Sequence, residues 1–126
     1  MKVLEILERD QLAQRAERLG GIFHDFITNL QRQYTCIGDV RGQGLMQGIE
    51  IVSDRETKQP DEKLGNALAD RMLELGLSAN VIRGIPGLGS CFRMAPPLNI
   101  SEEDLMKGLH IIEEAFRTTP GVQTIA

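Results

Sequence analysis

Val40-Arg41-Gly42-Gln43-Gly44-Leu45-Met46-Gln47-Gly48-Ile49-Glu50-Ile51-Val52 is the stretch on which the reading of the fold turns. Its glycines invite comparison with a nucleotide-binding loop. That loop needs a strand before it and a helix after it, so that a phosphate meets a helix N-terminus. Here the residues after Gly44 alternate as a strand does, with Leu45, Ile49 and Ile51 on the inner side. No Gly-Lys-Ser/Thr follows either. The glycines therefore read as turn and close-packing residues. Val40 falls in a preceding strand, paired antiparallel across a turn near Gly42 to Gly44.

Upstream, residues 3 to 33 read as one long amphipathic helix. Leu12, Ala16, Leu19, Phe23, Phe26, Ile27 and Leu30 recur at spacings of three and four, which gathers them on one face. Gly20-Gly21 costs about 1 kcal/mol per glycine relative to alanine, which marks a bend or a close helix contact. Downstream, Ser53 to Pro60 is polar and reads as a loop. Asp61 can cap a helix through Leu75, with Leu64, Ala67, Leu68, Met72 and Leu75 on its apolar face and Gly76 as its stop. Leu77 to Ile82 reads as a strand and Gly84 to Ser90 as a loop. Cys91-Phe92-Arg93-Met94 is a short strand ended by Ala95-Pro96-Pro97. Ser101-Glu102-Glu103-Asp104 is the capping signature of a last helix, whose buried stripe is Leu105, Leu109, Ile112 and Phe116.

This order predicts an α+β fold: a small, largely antiparallel sheet covered by helices on one face. The expected domain organisation is a single unit over residues 1–126. The long helix 3–33 leads into an α+β core at 36–118, and the tail 119–126 is expected to fray.

Composition narrows the function. The chain has 126 residues, 41% hydrophobic and 25% charged, the balance of a soluble globular domain. A net charge of −4 without a basic cluster argues against nucleic acid as a partner, and no apolar run is long enough for a membrane span. The N-terminus has no secretory pattern. Cys36 and Cys91 sit beside apolar neighbours and read as reduced packing residues of a cytoplasmic protein. His24 and His110 have no ligand spacing around them, so no metal site is expected.

One residue stands out chemically. Arg93 lies in a short strand directly before a Pro-Pro pair, among apolar neighbours. Stiff backbone there can present the guanidinium fork to a carboxylate. The same pattern also fits an edge-strand arginine in a salt bridge or in solvent. The Gly84–Ser90 loop is either a plain connection or a flap beside a ligand. No nucleophile–base pair and no paired carboxylates emerge. Glu102-Glu103-Asp104 serves the start of a helix, and Glu113-Glu114 a solvated face.

The stretch from Val40 to Glu50, taken with Phe92-Arg93-Met94-Ala95-Pro96-Pro97-Leu98 and the Ser101 cap, resembles class III (omega-type) aminotransferases, which use pyridoxal 5'-phosphate (PLP). The whole chain is similar to the C-terminal small domain of such enzymes. Within that group, Leu75-Gly76-Leu77-Ser78-Ala79-Asn80 and Pro86-Gly87-Leu88-Gly89 look most like the 2,2-dialkylglycine decarboxylase type. The resemblance implies that Arg93 grips the carboxylate of a small amino or keto acid substrate. It implies that Asn80 sits near that arginine and orients it. It also implies a homodimeric enzyme, with a large PLP-binding domain as the partner of this one.

PLP chemistry needs a desolvated lysine for the Schiff base, a carboxylate at the pyridinium nitrogen and donors for the phosphate. The four lysines here are Lys2 near the terminus, Lys58 in a polar loop, Lys63 opening a helix and Lys107 facing away from the buried stripe. None has the apolar surroundings that lower a lysine pKa. The resemblance assigns all three cofactor elements to the large domain. The chain alone is therefore expected to be inactive and to bind no PLP. The competing expectation is a standalone module of the same fold that binds small carboxylates or another protein.

Overall fold

In the computed structural model, which describes all residues from Met1 to Ala126, the hairpin forms where its sequence predicts. β1 (Ile37–Gln43) pairs antiparallel with β2 (Met46–Asp54), and the pair Gln43–Met46 closes a two-residue turn at Gly44-Leu45. Gly44 takes a positive φ of 56°, which a residue with a Cβ adopts only under strain. β2 is the centre of the sheet. Its other edge carries β3 (Gln59–Pro60) along Val52–Asp54 and β4 (Cys91–Met94) along Gln47–Glu50, all antiparallel.

Three helices cover one face. α2 (Leu12–Gln31) lies across the hairpin, and α3 (Glu62–Glu74) and α4 (Glu102–Thr118) complete the layer. Inward residues of the sheet, Ile37, Ile49, Ile51 and Phe92, are fully buried against Leu19, Ile27, Leu68, Met72, Leu109 and Phe116 from the helices. The architecture is the expected α+β layer. Asp61 caps α3 by accepting the Leu64 N–H at 2.9 Å, and Ser101 caps α4 by accepting the Asp104 N–H at 3.0 Å. No carboxylate returns to the Ser101 backbone. Glu102 pairs with Arg18, and Glu103 and Asp104 pair with Lys107.

Four local expectations differ from the structure. The helix over 3–33 is two helices, because α1 (Lys2–Arg9) ends at Asp10 and Gln11 turns the chain at φ 48°. α1 buries no residue, so nothing in the core holds it in line with α2. Of the two readings open for Gly20-Gly21, a bend or a close helix contact, the structure has the contact, at Gly20. A Cβ there would stand 2.1 Å from the Gly44 carbonyl oxygen, so α2 and the hairpin turn meet backbone to backbone. The polar segment 53–60 is partly strand, since β2 runs to Asp54 and β3 returns along it.

Leu77 to Ile82 forms no strand, only a single bridge between Asn80 and Arg93. Its start is used to finish α3: Gly76 (φ 100°) donates to Leu73 O and Leu77 donates to Met72 O, the paired bonds of a Schellman cap. The tail is anchored rather than frayed. Thr35 N–H donates to Gln123 O at 2.9 Å, Ile125 N–H donates to Gln33 O at 2.7 Å, and Tyr34 stacks on Phe116. No helix is long and apolar enough to cross a membrane.

Candidate functional site

Strand parity sorts the sheet into two faces, and the one without helices carries Arg93 and its charged neighbours. Directly opposed residues in an antiparallel sheet project to the same side. Arg41 is opposite Gly48, Gly48 opposite Arg93, and Arg93 opposite Asn80, which makes one row across four segments. The neighbouring row is Asp39, Glu50 and Cys91. Between them, Val40, Ile49 and Phe92 point into the core.

The two arginines of this face are in different states. Arg41 Nη1 donates to Asp39 Oδ2 at 2.7 Å and to Glu50 Oε2 at 3.0 Å. Those bonds, Asp39 first and Glu50 second, hold its guanidinium firmly protonated. Arg93 is exposed, and its guanidinium makes no ion pair or hydrogen bond within the chain. Only its backbone is engaged, its N–H donating to Asn80 O at 3.1 Å. Each of the other nine of the ten arginines donates to a group elsewhere in the chain. Arg93 alone has its whole donor fork free.

The structure brings Asn80 and Arg93 together as partners of an isolated bridge, yet no side-chain hydrogen bond joins them. Sequence reasoning missed Asp39, Arg41, Glu50 and Cys91 as neighbours of Arg93. The parity of the hairpin was the signal that could have found them. Cys91 Sγ lies 3.8 Å from Arg41 Nη2, and partial burial still raises its thiol pKa against the lowering effect of that cation. A cleft of about 470 Å³ opens beside β4, bordered by Asn80, Arg93, Pro97 and Asp104 and floored by apolar residues such as Leu77 and Leu109. A larger depression of about 580 Å³ over the hairpin turn has Glu17 as its one charged lining residue, so it lacks the cation that carboxylate chemistry requires.

The loop from Gly84 to Ser90 is tied to α3. Glu62 accepts the Gly87 N–H, Arg83 pairs with Asp70 at 2.5 Å, and Gly89 O lies 2.6 Å from where a Gly65 Cβ would be.

The residues present do not fit PLP. Lys2 is fully exposed beside Glu5, Lys63 is exposed, and Lys107 is paired with Glu103 at 2.9 Å. Lys58 Nζ donates to Gly38 O at 2.8 Å. None is a desolvated amine of the kind Schiff-base chemistry uses. The N-termini of α3 and α4 are closed by their own caps, and Glu102, Glu103 and Asp104 make the α4 terminus hostile to phosphate.

A helix-backed antiparallel sheet with an unpaired arginine on its bare face defines a two-layer α+β unit equipped to meet an anion. The family model for aminotransferase class-III matches residues 1–116, and the chain belongs to that family. It is 37% identical over 117 residues to an uncharacterized aminotransferase of Schizosaccharomyces pombe, covering 93% of this chain and 26% of that protein. It superposes on a Bacillus anthracis aminotransferase with a TM-score of 0.83 at 32% identity, covering 90% of this chain and 26% of that one. An amine transaminase from an uncultivated Pseudomonas species, solved in its PLP-bound form, gives 0.81 at 27% identity, covering 93% and 26%. The chain thus spans about a quarter of the length of the relatives it matches.

Proposed function

We propose that this chain is the substrate-carboxylate-binding part of a PLP-dependent aminotransferase, with Arg93 as the residue that grips the carboxylate of a small amino or keto acid. The observation that carries this reading is the free guanidinium of Arg93, on stiff strand backbone, in a chain whose other arginines are all engaged. A planar fork with no internal partner is suited to a bidentate carboxylate contact. In this reading Asn80, its bridge partner, orients the arginine or donates to the same carboxylate once substrate is bound.

PLP, when bound, supplies the electron sink for bonds broken at the substrate's α-carbon. In this reading its lysine, its pyridinium partner and its phosphate donors belong to a large domain outside these residues, and the chain alone is inactive. The complete enzyme is a homodimer, and the two unpaired cysteines of this chain suit a reducing, cytoplasmic setting. Aminotransferase relatives that match across nearly the whole chain support a transaminase reading. The decarboxylase likeness rests on the two short stretches 75–80 and 86–89.

Amide and arginine side-chain NMR during a pyruvate titration tests the assignment of Arg93. The expected result is a saturable shift of the Arg93 Nε–H that weakens at least about tenfold in Arg93→Gln, equivalent to ~1.4 kcal/mol. Arg93→Lys should recover part of it, since an ammonium keeps the charge but loses the fork. An unchanged pyruvate response in Arg93→Gln would contradict the proposal.

A further inference from the structure

Gly48 sits in the middle of the row that runs from Arg41 to Arg93 on the bare sheet face. Most well-packed glycines in this hairpin and in the helix against it explain themselves. Gly44 needs its positive φ, and Gly20 and Gly38 have no room for a Cβ, since one would fall 2.1 Å from Gly44 O or 2.6 Å from a Val52 methyl. Gly48 has neither reason. Its φ is ordinary for a strand, and the nearest atom to a Cβ there would be 3.6 Å away, on the flexible Arg41 side chain or its carbonyl. The position would accept a side chain. A glycine inside a central strand weakens the strand, because it costs backbone entropy and packs nothing. Such a glycine marks a place where a ligand or another backbone comes close.

We propose that Gly48 is a specificity-determining position. It keeps the sheet surface bare between Arg41 and Arg93, so that the body of a small carboxylate held by Arg93 lies flat across the strand. This rests on the assignment of the carboxylate contact to Arg93. The surroundings fit such an occupant. Arg41 is drawn toward Asp39 and Glu50, at 2.7 and 3.0 Å, and so is committed to the neighbouring row. The strip over Gly48 is therefore flanked by a satisfied cation on one side and a free one on the other. An unbranched 2-oxo or 2-amino acid can place its carboxylate on the free fork and its short chain over the glycine. A side chain at 48 would occupy that strip.

Pyruvate titrations of the 126-residue chain, followed by amide and arginine side-chain NMR, test the inference with the variants Gly48→Ala, Gly48→Val and Arg93→Gln. In the wild type, the Gly48 amide and the Arg93 Nε–H should shift together with one dissociation constant. Gly48→Val should stay folded, with the amide pattern of the core unchanged, and lose pyruvate affinity at least tenfold. Gly48→Ala should show a smaller loss in the same direction. Wild-type affinity in folded Gly48→Val, with affinity lost in Arg93→Gln, overturns the role of Gly48 and leaves that of Arg93 standing. Equal responses of wild type and Arg93→Gln overturn both. Failure of both glycine variants to fold overturns the premise that the site accepts a side chain.

Discussion

Cys36 shows how placement sets the chemistry of a residue. It is buried where β1 begins, and burial pushes its thiol up to about 11 from 9.0. Below pH 9 both folded and unfolded forms keep the proton. Between the two values the unfolded chain releases it while the folded chain does not, so stability falls as pH rises through that window. The shift corresponds to about 2–3 kcal/mol. Urea unfolding at pH 8 and pH 11 should show a steeper loss of stability in the wild type than in Cys36→Ala. Equal losses would contradict this account. Arg93 was legible in the sequence because a Pro-Pro pair ends its strand, and the resemblance gave it a role. Its lack of any internal partner was not legible, since that depends on where nine other arginines find theirs.

At the level of elements, contacts distant in sequence overrule local pattern. Gly20 and Gly21 read alike, as two costly glycines in a helix, but only Gly20 meets the hairpin turn, and Gly21 has nothing within 4 Å. Gly20→Ala should destabilise by about 3 kcal/mol or fail to fold, because backbone on both sides must move. Gly21→Ala should stabilise by about 0.5–1 kcal/mol through helix propensity. Thermal unfolding of the two variants checks the contrast, and similar effects would refute the backbone contact. The hairpin, the Asp61 and Ser101 caps and the stripe Leu105, Leu109, Ile112 and Phe116 were readable because each is written in short-range spacing. The break at Gln11 and the docking of the tail beside Tyr34 were not, because each depends on partners elsewhere in the fold. Segment 77–82 has strand composition, but the α3 cap takes its first residue.

For the whole molecule, the helix layer closes one side of the sheet and leaves the other open. Met46 on the hairpin is 73% exposed, and Val3 and Leu4 of α1 are exposed with no helix to cover them. If these surfaces belong against a large domain, the isolated chain should self-associate without a fixed endpoint. Sedimentation equilibrium should then show an average mass that keeps rising with concentration. A sharp monomer or a single closed dimer would favour a standalone module instead.

In the proposed reading this chain holds the substrate grip of a class III aminotransferase and not its cofactor site. An absorbance titration with PLP, followed by borohydride reduction and mass mapping of modified lysines, tests it most directly. The account predicts weak, unsaturated labelling scattered over Lys2, Lys58, Lys63 and Lys107, as for surface amines. Tight, saturable binding with one dominant lysine would contradict it, and the chain would then be a self-contained PLP protein.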